Sequence, residues 1–172
     1  MTNKIKDLDK VKIGFADIKI ERVDPSFKKS NTDCWGQYLS RENKIEIQTY
    51  PDFLPERSDP LKPYYFFSYR VKIINNSDVI VKLLSRYWHI KDGEGKSEDI
   101  HGPGVIGQTP SIRPKEFFQY TSFCPLPTPI GFMSGSYRMI LENGEQFDAE
   151  IPQFRLVAQD YLNLSLLLFQ GL

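Results

Sequence analysis

The chain has 172 residues, which is enough for one domain with a hydrophobic core and an appended segment. Lys and Arg number 22, as do Asp and Glu, so the formal net charge is zero and gives no electrostatic reason to expect nucleic-acid binding. Hydrophobic residues at 40% and aromatic residues at 13% exclude a disordered chain.

The two cysteines, Cys34 and Cys124, are too few for the disulfide framework of a small secreted domain. The charged start "MTNKIKDLDK" is not followed by an apolar segment, which argues against a secretory signal. The longest apolar cluster, "LNLSLLLF" at 162–169, is far shorter than the roughly 20 residues that span a bilayer. We therefore expect a cytoplasmic protein without membrane association.

Residues 1–44 form a predicted N-terminal extension. Within it, "VKIGFADIKIERV" at 11–23 alternates weakly and is a candidate for one extra strand, whereas "DPSFKKSNTDCWG" is typical of a loop. The predicted domain covers 45–158. Its clearest early strand is "YYFFSYRVKII" at 64–74, in which Phe67, Tyr69, Val71 and Ile73 alternate with polar residues.

Four further segments have strand character. "VIVKLLSRYWHIK" at 79–91 places Leu84, Trp88 and Ile90 on one parity. Tyr137 and Met139 share a face of the strand "GSYRMIL", and "EFFQYTS" and "EQFDAEI" are the other two candidates. We assign Phe67, Tyr69, Val71, Trp88, Ile90, Tyr137 and Met139 to the core.

Turn signals separate these strands at short spacing. "DGEG" at 92–95 and "ENGE" at 142–145 are hairpin signals, and Asn143-Gly144 favours a type I′ turn. Such spacing predicts an all-β fold, an antiparallel sandwich or barrel. The C-terminal segment 159–172 has Leu162, Leu166 and Phe169 at nearly helical spacing, so we expect a short helix or an apolar tail that docks on the domain or on a partner.

The segment "HGPGVIGQ" at 101–108 contains G-x-G-x-x-G at Gly102, Gly104 and Gly107. In a dinucleotide-binding fold this pattern needs a strand before it and a helix after it, whose N-terminal amides face the pyrophosphate. Here Pro110 and Pro114 follow within two turns, and Pro114 alone would cost a helix about 3 kcal/mol. We therefore predict a Gly/Pro-rich loop between two strands.

A glycine-rich turn can still bind an anion without a helix, because consecutive backbone amides form a concave nest. His101 beside the turn and Arg113 after it could assist such binding. The candidate ligand- or partner-binding residues are therefore Gly102, Gly104, Gly107, His101 and Arg113.

No pattern points to catalysis or to a metal site. His89 and His101, the only histidines, have no cysteine at a zinc-binding spacing, and neither a G-x-S-x-G nor an H-E-x-x-H motif is present. We interpret Cys124 as a small buried thiol or a thiol at a strand end, rather than as a nucleophile. Arg86 beside Trp88 is expected to be paired or stacked on an aromatic ring. We predict a non-enzymatic protein without a cofactor.

Several motifs together resemble the ApaG domain, also known as CorD. They are "LLSRYW", "GPGVIGQ", "YTSFCPLPTPIGFMSGSYRM" and "FDAEIPQFRL", and the resemblance covers roughly residues 45–158. It implies an immunoglobulin/fibronectin-III-like antiparallel β-sandwich. It also implies a link to cobalt resistance and magnesium efflux, and a protein-interaction role like that inferred for related eukaryotic domains. No catalytic activity is implied.

The leading hypothesis is therefore a β-sandwich that binds another protein through its edge strands or its Gly/Pro loops. The alternative is a binder of a pyrophosphate-containing nucleotide, held by the glycine loop. The apolar tail and the sandwich edges also favour a homodimer.

Overall fold

A computed structural model describes residues 44–159 and the backbone of two short strands that precede them. A single-turn 3₁₀ helix, Pro55–Arg57, lies between the third and fourth strands. The strands are β1 (Lys19–Arg22), β2 (Gln37–Leu39), β3 (Ile45–Phe53), β4 (Tyr65–Asn75), β5 (Val81–Asp92), β6 (Ser97–Pro103), β7 (Ser111–Ile112), β8 (Glu116–Leu126), β9 (Ile130–Leu141) and β10 (Gln146–Val157).

The strands form two sheets with antiparallel pairing throughout. The first sheet has the order β1-β8-β4-β3-β2, and the second has the order β10-β9-β5-β6 with the short β7 beside β5. The predicted immunoglobulin/fibronectin-III-like antiparallel β-sandwich is confirmed. β1 lies within 11–23, where the sequence predicted a strand, whereas β2 was not predicted; both join the first sheet.

The core lies between the two sheets. Tyr69 of β4 packs edge-on against Trp88 of β5 at a ring-centroid distance of 5.3 Å, and the hydroxyl groups of Tyr120 and Tyr137 hydrogen-bond across the gap. Six of the seven predicted core residues are buried, and the seventh, Ile90, is partly buried and packed against the core. The alternation with period two therefore identified the inward face.

The prediction that Leu84 shares the inward face of β5 with Trp88 is wrong. The pairing of β5 with β9 shifts between Leu83 and Ser85, where a β-bulge places one extra residue. Leu83 is consequently the buried residue before the bulge, Trp88 is buried after it, and Leu84 is only half-buried. The bulge exchanges the two faces of the strand, which simple alternation cannot show.

The type I′ turn expected at Asn143-Gly144 is not formed. Of the two residues only Gly144 has a positive φ, of 86°, and the amide of Leu141 donates to the carbonyl of Glu145. The Asp92–Gly95 turn has the same pattern, with Gly95 rather than Gly93 at positive φ. Both loops match a three-residue hairpin that ends in a glycine bulge. The predicted helix or tail at 159–172 lies, apart from Gln159, outside the described residues.

Candidate binding site at the edge of the second sheet

The glycine segment continues directly from β6. Gly102 is the next-to-last residue of β6, and Gly104 and Gly107 lie in the loop that leads to β7. The loop ends at β7, so a strand and not a helix directly follows the glycine motif. The segment therefore lacks the strand–loop–helix setting of a dinucleotide-binding site.

The loop closes through a very tight turn. The amide of Gln108 donates to the carbonyl of Val105 over 3.0 Å, and the amide of Val105 donates back to the carbonyl of Gln108 over 2.8 Å. The two residues between them, Ile106 and Gly107, have φ values of 49° and 71°. Positive φ at both central positions is the type I′ pattern. Gly107 suits this geometry, but a β-branched isoleucine rarely adopts it.

Gly104 is required by both conformation and space. Its φ is 54°, and a Cβ built on it would lie 2.0 Å from the carbonyl oxygen of Gln108. Gly102 is required by a side chain instead, since a Cβ there would lie 3.0–3.2 Å from the guanidinium of Arg86. Each of the three glycines of the motif thus has a structural reason within the loop.

Arg86 holds the loop in place. Its Nη1 donates to the carbonyl oxygen of Gly104 over 2.9 Å and to that of Pro103 over 3.3 Å. The sequence predicts that Arg86 is paired or stacked on an aromatic ring, whereas the structure shows its guanidinium donating hydrogen bonds to two backbone carbonyls. Sequence reasoning did not identify this loop contact. The available signal was the inward parity that Arg86 shares with Trp88.

Several amides of the loop already have acceptors. The amide of Gly104 donates to the carbonyl of Leu84 over 2.8 Å, and those of Val105 and Gln108 close the turn. An anion-binding nest needs consecutive amides that converge on one ligand. In this conformation three of the amides between 104 and 108 point instead at carbonyl groups of the protein.

A polar cluster lies beside the loop on the outer face of β5 and β6. His89 Nδ1 lies 2.7 Å from Asp99 Oδ1, and the Tyr87 hydroxyl donates to the same oxygen over 2.9 Å. His101 stacks on Tyr87 with ring centroids 4.7 Å apart. The hydrogen bond with His89 lowers the pKa of the Asp99 carboxyl, and that from Tyr87 adds to the effect.

The open edge of the second sheet runs along β6, which pairs only with β5 in the described part of the chain. Gly104 and Leu84 stand opposite each other in the extended β5–β6 register and are hydrogen-bonded. Bonded and non-bonded pairs alternate along an antiparallel ladder. Gly102 and Ile100 therefore direct their backbone groups towards β5, and Asp99 and His101 direct theirs towards the open edge.

Arg113, the fifth predicted site residue, is not near His101. It follows β7, which pairs with Val81 and Lys82, whereas His101 stands opposite Tyr87. These points on β5 are separated by a stretch of strand that spans roughly 15 Å. Arg113 instead lines an open cleft of about 630 Å³, and its backbone amide donates to Glu116. The structure thus brings His101 and the glycines together without Arg113.

The interpretation of Cys124 as a buried thiol is confirmed. Cys124 is 4% exposed, and burial raises its pKa to about 12, so the nucleophilic thiolate is disfavoured. Among residues 44–159, no group of three His, Cys, Asp or Glu side chains could hold a metal ion. The same described residues include no helix long and apolar enough to cross a membrane.

Residues 55–141, which include β5, β6 and the loop, match the sequence model of the ApaG domain. The ApaG protein of Mesorhizobium japonicum is 49% identical over 119 residues, which are 69% of this chain and 92% of that protein. The chain belongs to the ApaG family. The ApaG protein of Beijerinckia indica is similar as well, with 47% identity over the same shares of both chains.

A solved structure agrees with this assignment. The crystal structure of a candidate ApaA protein from Bordetella pertussis has 43% sequence identity and a TM-score of 0.65, over 66% of this chain and 92% of that one. The ApaG relatives therefore correspond to the sandwich, and most of their length is represented in this chain.

Proposed function

We propose that this ApaG-family chain is a non-enzymatic protein-binding module that takes up an extended segment of its partner along β6. The observation that carries the proposal is the edge itself. The backbone groups of Asp99 and His101 face outward from an edge strand, next to a loop to which Arg86 donates a hydrogen bond. Strand addition uses such main-chain groups for affinity and neighbouring side chains for specificity.

The surroundings of the edge support recognition of a peptide. The outer face offers a carboxylate, two imidazoles and a phenol within one cluster, so a bound strand would meet both hydrogen-bond donors and acceptors. A held loop also reduces the entropy that would be lost when a partner is bound. The pyrophosphate-nucleotide alternative and the link to cobalt and magnesium remain predictions, and no contact of the described residues favours them.

The test compares His101→Pro with His101→Ala. Both substitutions remove the imidazole, but only proline removes the amide that faces the open edge. The native β5–β6 ladder does not use that amide, and proline is tolerated where the N–H side of an edge strand faces solvent. His101→Ala is therefore the matched control.

The two variants and the unmodified chain are used as bait in native lysate, and the bound proteins are quantified by mass spectrometry. We expect a protein partner that the unmodified chain retains, that His101→Ala retains in reduced amount because the imidazole is lost, and that His101→Pro loses. Equal recovery by all three baits, with circular dichroism showing folded variants, would rule out strand addition at β6. Calorimetry with ATP and dinucleoside polyphosphates tests the nucleotide alternative separately, since no heat at millimolar ligand eliminates it.

A further inference from the structure

We propose that β6 pairs with β6 of a second copy of this chain, antiparallel about a two-fold axis at Ile100. The inference rests on the proposed function, because it identifies the partner segment that pairs with the edge strand β6. A two-fold axis makes an interface self-complementary, so each residue must fit the residue that lies equally far beyond the axis. β6, Ser97–Pro103, has Ile100 at its centre.

The backbone of β6 fits this register. The axis places Asp99 opposite His101 of the second copy, and His101 opposite Asp99 of the second copy. Both residues direct their N–H and C=O groups towards the open edge, as the β5–β6 register and the Gly104–Leu84 hydrogen bond indicate. Such a pair exchanges two hydrogen bonds in an antiparallel ladder. Ile100 faces Ile100 of the second copy as a non-bonded pair.

The side chains on the outer face are also complementary. Each Asp99 carboxylate would stand opposite a His101 imidazole, and opposite polar partners at this spacing stabilise a sheet. His101 stacks on Tyr87 of β5, and Asp99 accepts from the Tyr87 hydroxyl, so contacts with the neighbouring strand hold both side chains on the outer face. The same contact occurs twice because of the two-fold symmetry.

The inner face of β6 provides a second complementary pair. The register places Glu98 opposite Gly102 of the second copy, and the guanidinium of Arg86 lies over Gly102. A carboxylate therefore meets the position occupied by a cation. Like charges do not face each other at any position of this register, which is what selection of one partner strand requires.

The opposite edge of the same sheet is less suited to pairing. β10 contains Pro152, and its register with β9 is interrupted between Ile151 and Phe154. Prolines and irregular pairing are devices that blunt an edge strand. In β6 the only proline is the last residue, Pro103, so pairing between the two β6 strands can extend along the strand up to that residue. An interface of one short strand is small, and we expect a concentration-dependent dimer.

The test is sedimentation velocity of the full chain over a range of concentrations, with two charge variants. Asp99→Lys places lysine opposite histidine in its own dimer, and His101→Glu places glutamate opposite aspartate. Each variant alone should raise the dimer Kd by about tenfold or more, since two unfavourable pairs are formed per dimer.

Mixing the two variants should restore the dimer. In the mixed dimer the introduced lysine meets the introduced glutamate, and the native His101 of one chain meets the native Asp99 of the other. Glu142→Lys and Gln146→Glu, at the exposed β9–β10 turn, are the charge-matched controls and should leave the dimer Kd unchanged.

Restoration by mixing requires direct pairing, which a merely structural effect of either substitution would not give. A monomer at all concentrations, or a dimer that neither variant weakens, would overturn the inference. Failure of the inference leaves the proposed function intact if a lysate partner is still lost with His101→Pro. Equal recovery of all proteins, including a second copy of this chain, by the three lysate baits would contradict both the inference and the proposed function.

Discussion

Arg86 donates a hydrogen bond from Nη1 to the carbonyl oxygen of Gly104 over 2.9 Å, which ties the glycine loop to the second sheet. The guanidinium fits because Gly102 has no side chain in the space that it occupies. A hydrogen bond from a charged donor to a carbonyl oxygen is stronger than one from a neutral donor. The G-x-G pair at 102 and 104 is therefore explained by a contact within the protein.

Arg86→Ala should loosen the loop. Loss of the charge-assisted hydrogen bonds should lower the free energy of unfolding by about 2 kcal/mol in urea denaturation. Native-state hydrogen exchange should be faster at the amides of Val105 and Gln108, which close the turn. Arg113→Ala is the control, because Arg113 is exposed and lies outside the loop, after β7, and its effect should stay within about 0.5 kcal/mol. Unchanged exchange in Arg86→Ala would show that the loop does not depend on this contact.

Gly104→Ala should be more destabilising than Gly107→Ala. Both residues have a positive φ, which costs alanine about 1–2 kcal/mol. A Cβ at Gly104 would additionally meet the Gln108 carbonyl oxygen, whereas nothing lies within 4 Å of a Cβ at Gly107. We expect Gly104→Ala to lower the free energy of unfolding by about 1–3 kcal/mol more than Gly107→Ala does. Equal destabilisation would mean that the turn opens readily to accept the methyl group.

Stability should decline in alkaline solution. Burial raises the pKa of Cys124 from 9.0 to about 12 and that of Tyr69 from 10.0 to about 12. The folded state therefore holds these protons where the unfolded state has released them, so the stabilisation is complete below pH 9 and is lost as the pH rises towards 12. Urea denaturation between about pH 8 and pH 11 measures the decline.

The variant Cys124→Ala separates the contribution of the thiol. Its free energy of unfolding should fall less steeply over the same pH range, because the thiol no longer contributes to the decline. In a Cys34→Ser background, the thiol of Cys124 should also be unreactive towards a thiol reagent under native conditions and become reactive in denaturant. Reaction of the native thiol at an unhindered rate would contradict the burial of Cys124.

The carboxyl of Asp99 should titrate below its ordinary range. The hydrogen bond with His89 is the main cause of the lowered pKa, followed by that from Tyr87. NMR titration should show the carboxyl pKa rising towards 3.8 in His89→Ala, and rising less in Tyr87→Phe. Any stabilisation from this carboxylate exists above the unfolded-state pKa and is lost as the pH falls through the folded-state value. A titration midpoint that neither variant moves would contradict the proposed hydrogen bonds.

Local patterning in the sequence determined the antiparallel all-β class and the core, and the resemblance to the ApaG domain implied a sandwich rather than a barrel. Alternation of apolar and polar residues with period two identified Phe67, Tyr69 and Val71 as inward, because successive side chains of a strand point to opposite faces. The proline at 114 argued against a helix after the glycine motif, since a proline beyond the first turn removes a helical hydrogen bond and clashes with the preceding turn. Both properties depend only on residues that are neighbours in the chain, so the sequence alone is enough to predict them.

Only the tertiary structure decided which residues meet at the candidate site. The contact of Arg86 with Gly104 depends on the register of β5 with β6, and the pairing of His89 with Asp99 depends on the same register. The bulge at Leu83–Ser85 changes which residues of β5 face the core, and it arises from pairing with β9, a strand far along the chain. Register and edge position depend on contacts between distant segments, so no local pattern can specify them.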